Sequence, residues 1–141
     1  AADRPPVSTL AAGYRLTSRA ENADGPHHLA ARNGPDTEAR LHQVSLYRAD
    51  LDLIVLDATG AVAAYGLCWF DPLSRTGLVE PMRTEDAHQR RGLARHVLTT
   101  GVERLAGLGA ERIKICYDLG NRFHQNALLN FSPIKELHRF L

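Results

Sequence analysis

HQRRGLARHVLTTG, residues 88–101, is the junction on which the reading of this chain turns. From Gly92 onward the apolar residues fall at helical spacing: Leu93, Ala94, Val97, Leu98, Val102, Leu105 and Leu108 share one face, and Gly109 is placed to end the helix. Before the junction, Thr76 to Met82 (TGLVEPM) has strand composition, so a strand runs almost directly into a helix. A helix start leaves four N–H groups without intrahelical partners and carries partial positive charge. Arg90 and Arg91 are unfavourable there unless an anion offsets them, and Gly92 and Ala94 are small enough to let one reach the backbone. A phosphate or pyrophosphate is the natural ligand of such a junction.

Outward from that point the pattern builds one mixed sheet. Leu51 to Leu56 (LDLIVL) and Ala61 to Phe70 (AVAAYGLCWF) read as strands joined by the turn Asp57-Ala58-Thr59-Gly60. Pro81 cannot donate a ladder hydrogen bond, so the next strand has to bulge or part from a neighbour near its end. Gly13 to Arg19 predicts a first strand, His28 to Arg32 a short helix, and Asp36-Thr37 the cap of a helix running to Val44. Arg112 to Tyr117 predicts a strand after the long helix, and Asn121 to Leu129 a further helix. A meander followed by strand, helix, strand, helix is an α+β fold, a mixed α/β sheet. Residues 1–12 read as a tail or linker, compatible with an upstream domain, and residues 13–141 as a single domain.

Composition removes several function classes. The formal net charge of +1 and the absence of a long basic run give no reason to expect a nucleic-acid partner. No apolar run approaches the roughly 20 residues that span a bilayer, and no signal pattern opens the chain, so a cytoplasmic location is expected. Cys68 and Cys116 lie in strand-like runs and read as free buried thiols. The seven histidines, His27 and His28 adjacent among them, form no ligand-spaced motif, so no metal is expected.

The residues at the junction, Q-R-R-G-L-A, resemble the Q/R-x-x-G-x-G/A signature of the GNAT acyltransferase superfamily. The stretch LARHVLTTGVERLAGLGAERIKICYDLGN resembles the helix, strand and Asn-bearing turn that follow that signature. The hairpin SLYRADLDLIVLDATGAVAAYGLCWFDP looks like that of GNAT domains related to mycothiol synthase. The resemblance covers about residues 44–126, and P-loop and Rossmann motifs are absent.

It implies a GNAT-like fold and acetyl-CoA as cofactor, with the pyrophosphate held by the main chain of Arg90, Arg91, Gly92, Leu93 and Ala94 beside Gln89. The backbone of Met82 and Arg83 would pair with the pantetheine arm, and Asn121 would lie beside it. The implied reaction is N-acetyl transfer to a small-molecule or peptide amine in a ternary complex. The alternative is a degenerate domain that binds CoA as a sensor or scaffold without turnover. The family's usual Leu-Tyr pair is Leu128-Leu129 here, so the tyrosine that often serves as general acid is missing.

Tyr117 is the substitute candidate for that acid, or else a packed aromatic. With a thiol pKa of ~8.5, departure of an unprotonated thiolate at neutral pH costs only on the order of 2 kcal/mol. Loss of the acid therefore slows catalysis without abolishing it. An amine of pKa near ~10 arrives protonated and needs a base. Glu80 is the best-placed carboxylate, acting directly or through water, or else it is satisfied by backbone N–H groups where the strand splays around Pro81. Glu85 and Asp86 read as turn and capping residues, and His88 as a surface residue. Only residues 134–141 remain for the family's last two strands, so shortened C-terminal strands are expected. A homodimer or a partner segment covering the exposed edge is expected from that, with Phe131, Ile134, Leu137 and Phe140 in the contact, the alternative being a tail packed as a helix over the gap.

Overall fold

A computed structural model describes residues 4–115. Five strands, β1 (Arg15–Ser18), β2 (Asp52–Leu56), β3 (Val62–Asp71), β4 (Thr76–Thr84) and β5 (Arg112–Ile115), form one sheet in sequential order. The first four pair antiparallel and β5 pairs parallel to β4. That parallel pair requires a crossover, and α3 (Leu93–Gly107) supplies it. Two short helices, α1 (Ala30–Asn33) and α2 (Thr37–Leu41), lie in the connection from β1 to β2. The mixed sheet with its meander matches the expected fold class.

Every residue of β2 is buried, so both faces of the sheet are covered at its centre. One cover is α3. Leu93, Val97, Leu98, Val102 and Leu105, all expected on the apolar face, are buried against the sheet, while Leu108 packs at the margin of the core and Ala94 is half-buried. The approach is close: a Cβ on Gly66 of β3 would stand 2.6 Å from Val97 Cγ1, and one on Gly101 would stand 2.6 Å from Cys68 Sγ. Cys68 is a free buried thiol, as expected, and burial pushes its pKa up to about 12. Cys116 lies outside the described residues.

The end of α3 follows from Gly109. Its φ of +98° lets the Ala110 N–H return to the Leu105 carbonyl (3.0 Å) and its own N–H to Ala106 (3.0 Å), a Schellman closure. Two expectations are corrected. The second helix does not reach Val44: after Leu41 the bonds from Gln43 N–H to Arg40 O and from Val44 N–H to Leu41 O are three-residue turns, and Asp36 makes no side-chain cap. The opening segment is also not free of the domain. Ser8 N–H donates to Thr99 Oγ1 (3.0 Å), Ser8 O lies 2.6 Å from His96 Nδ1, and Leu10 and Ala11 pack on the core, so this strap runs along α3.

The other cover is the connection from β1 to β2, and buried Arg19 organises it. Its guanidinium binds Glu38 of α2 through two 2.8 Å contacts and donates to the Asn22 (3.1 Å) and Gly25 (2.9 Å) carbonyls. One planar fork thus orders a segment too rich in Gly, Pro and Asn to order itself.

Candidate functional site

The strand-to-helix junction has the geometry of an anion cradle. Arg90 (φ 61°) and Gly92 (φ 76°) both adopt left-handed backbone, which turns successive N–H groups toward a common point. The first intrahelical bond is His96 N–H to Gly92 O (3.0 Å), so the N–H groups of Leu93, Ala94 and Arg95 precede it without helical partners. No side chain caps this end, and a Cβ on Gly92 would meet nothing within 4 Å. Gly92 is therefore required by its φ and by open space in front of it, not by crowding. Those donors fit a CoA pyrophosphate. Acidic side chains hold the flanking residues: Asp86 Oδ1 accepts from Gln89 Nε2 (3.2 Å) and Arg83 NH2 (3.4 Å).

The second element is β4. Gly66 pairs with Met82 and Cys68 with Val79, so Leu67 alone faces both Glu80 and Pro81, and the bulge expected at Pro81 is present. The Glu80-Pro81 peptide is cis. Among the described residues β5 pairs with β4 only over Thr76 to Val79. Met82 and Arg83 are bound to β3 on one edge, and their other edge has no described strand partner.

Glu80 is exposed, and its carboxylate takes part in no hydrogen bond or ion pair among the described residues, backbone N–H groups included. Its carbonyl instead accepts from Trp69 Nε1 (2.8 Å), a contact the sequence reading missed. Trp69 in turn lies edge-on to Tyr47 with ring centroids 6.2 Å apart. His88 is not a surface residue: it is half-buried, its Nδ1 shares a 2.9 Å hydrogen bond with the Tyr14 hydroxyl, and its Nε2 is 3.7 Å from Asp57. Tyr117, Asn121 and the C-terminal residues of the expected dimer edge lie outside the described residues.

The Acetyltransferase (GNAT) family profile matches residues 16–128. The chain belongs to this acetyltransferase (GNAT) family. Solved structures agree with the fold. The GNAT chain is 16% identical to the ribosomal-protein-S18-alanine N-acetyltransferase from Escherichia coli, with 84% of this chain and 76% of that one covered and a TM-score of 0.63. It is 13% identical to AAC(6')-Iy, solved with a bisubstrate analogue of CoA, covering 91% and 97% at a TM-score of 0.61. It is 14% identical to glucosamine-6-phosphate N-acetyltransferase from Arabidopsis thaliana, covering 90% and 98% at 0.59. One other matched acetyltransferase is much longer, and the chain spans 36% of it. No curated protein matches the sequence.

As a GNAT protein it is an acyltransferase of the CoA-dependent kind. No helix among the described residues is long and apolar enough to cross a membrane.

Proposed function

We propose that this chain transfers an acetyl group from acetyl-CoA to the nitrogen of a small-molecule or peptide amine, both substrates being bound together in the cytoplasm. The observation that carries this reading is the uncapped, left-handed helix start that follows β4, with the Glu80 carboxylate exposed near the end of that strand. Acetyl-CoA supplies the acyl group as a thioester.

The residues of the chain do the rest. The N–H groups of Arg90 to Ala94 hold the pyrophosphate, whose charge offsets the Arg90 and Arg91 side chains beside the positive helix end. The main chain of Met82 and Arg83 aligns the arm, and an N–H on this edge stabilises negative charge developing on the carbonyl oxygen. Glu80 removes a proton from the incoming ammonium, directly or through water, so that its lone pair can attack. The leaving sulfur takes its proton from Tyr117 or from solvent. Leu129, standing where the family commonly has tyrosine, is the specific observation that keeps CoA binding without turnover as the second reading.

Gly92→Glu separates a CoA site from an ordinary helix start. It places a side chain and a negative charge in the open space before α3. The parent should gain thermal stability from CoA, by about 2.7 kcal/mol at a hundred times its Kd, and the folded variant should gain none. Equal protection of both would overturn the pyrophosphate assignment. Turnover of acetyl-CoA against a panel of amines then decides between catalysis and binding alone.

A further inference from the structure

On the sheet face opposite α3, the connection after β1 carries His27 and His28 onto Asp52, the first residue of β2. All three side chains are buried, with 1%, 2% and 0% of their surface exposed. His27 Nε2 lies 2.7 Å from Asp52 Oδ2, and the Tyr47 hydroxyl donates to the same oxygen at 2.8 Å. His28 Nε2 approaches Oδ1 to 3.0 Å. The two imidazoles stack with centroids 4.1 Å apart, and Tyr65 flanks His28 at 5.1 Å.

Hydrogen bonding does not close this cluster. Among the described residues neither ring nitrogen of His28 nor Oδ1 of Asp52 makes an aligned hydrogen bond, although His28 Nε2 and Oδ1 face each other at 3.0 Å. Buried polar atoms are nearly always paired, and orphans on both sides of one contact call for a missing partner. Each neutral imidazole offers one nitrogen lone pair, and the carboxylate oxygen offers another donor. The partner they want is a cation.

We propose that His27, His28 and Asp52, brought together by the packing of the β1–β2 connection on the start of β2, bind one zinc-type divalent metal ion. Their donor atoms all lie within 4.8 Å of one another. Zinc bonds nitrogen and oxygen ligands at about 2.0–2.2 Å, which sets tetrahedral ligands roughly 3.4 Å apart, so small side-chain adjustments suffice. Imidazole donors select zinc and its neighbours over magnesium or calcium, which take oxygen shells. Tyr47 orients the carboxylate from outside the ligand set, and a water completes the fourth position.

Two existing bonds oppose this. Leu29 N–H donates to His27 Nδ1 at 3.1 Å, which fixes the ring proton on Nε2. Coordination through Nε2 moves that proton to Nδ1 and releases the Leu29 N–H. Two hydrogen bonds, from Leu29 N–H to His27 Nδ1 and from His27 Nε2 to Asp52 Oδ2, are exchanged for three coordinate bonds and the satisfaction of His28. The site joins the β1–β2 connection to the sheet and does not depend on CoA.

The test uses tag-free protein stripped with a chelator and titrated with zinc, and with cobalt, whose visible absorption is intense only in four-coordinate sites. The expected result is one equivalent bound, a rise in Tm, and the four-coordinate cobalt spectrum. His28→Gln, verified as folded by circular dichroism, should bind at least about 100-fold more weakly, since even outer partners of metal ligands are worth 10–100-fold. His27→Gln should do the same, while His96→Gln, whose ring lies at the strap, should bind like the parent. No zinc-dependent shift in the parent, or equal zinc affinity in a folded His28→Gln, would overturn the site and leave the cluster as a purely hydrogen-bonded anchor.

Discussion

Glu80 and Gly92 show how differently two residues of one site can be read. Gly92 is legible because its requirement is local: a left-handed helix start before an apolar repeat admits few residues other than glycine. Glu80 left two readings open, since only the tertiary structure shows that no backbone N–H of the described residues reaches its carboxylate. If it is the base, Glu80→Gln should leave CoA affinity nearly unchanged and lower turnover by about 100-fold at neutral pH. The defect should shrink as rising pH deprotonates the acceptor without help. Rate profiles of both proteins across pH measure this, and a deficit constant at every pH would mark a structural role. His27, His28 and Asp52 were illegible for a different reason. Asp52 follows His27 by 25 residues through a connection that holds two short helices, and no spacing rule connects them.

At the scale of elements, α3 was the clearest part of the chain. Its apolar repeat, glycine stop and uncapped start are all encoded within a few residues of where they act. The ends of α2 were not, because a five-residue helix depends on Arg19 and Glu38 rather than on its own propensity. The seating of α3 has one point where two small residues share a single space, Gly101 against Cys68. Gly101→Ala gains up to about 1 kcal/mol of helix propensity. It also drives a Cβ to 2.6 Å from a fully buried sulfur, and overpacking of this kind costs about 1–3 kcal/mol. The clash should win, giving net destabilisation of roughly 1 kcal/mol in denaturant unfolding. In a Cys68→Ala background the same substitution should become neutral or stabilising. A sum of independent effects in this double-mutant cycle would show that α3 shifts freely on the sheet.

For the whole molecule, the order and direction of the strands followed from the sequence, since consecutive apolar runs joined by tight turns leave an antiparallel meander as the simple solution. The bulge followed as well, from Pro81. What did not follow was the strap, because eight small or polar residues without period carry no sign of what they touch. Deleting residues 1–9 should lower stability by about 1–2 kcal/mol, through the lost Ser8 bonds and the uncovering of Thr99. Urea unfolding with an unchanged m-value checks this, and an unaltered midpoint would mean that the strap rests on α3 without holding it. The strap also sets a timetable for synthesis. Ser8 is made 91 residues before its partner Thr99. At translation speeds of about 5–20 residues per second, the strap waits roughly 5–20 s for the helix it grips. It thus finds its place long after it is made, and Leu10 and Ala11 stay open to chaperones throughout that interval.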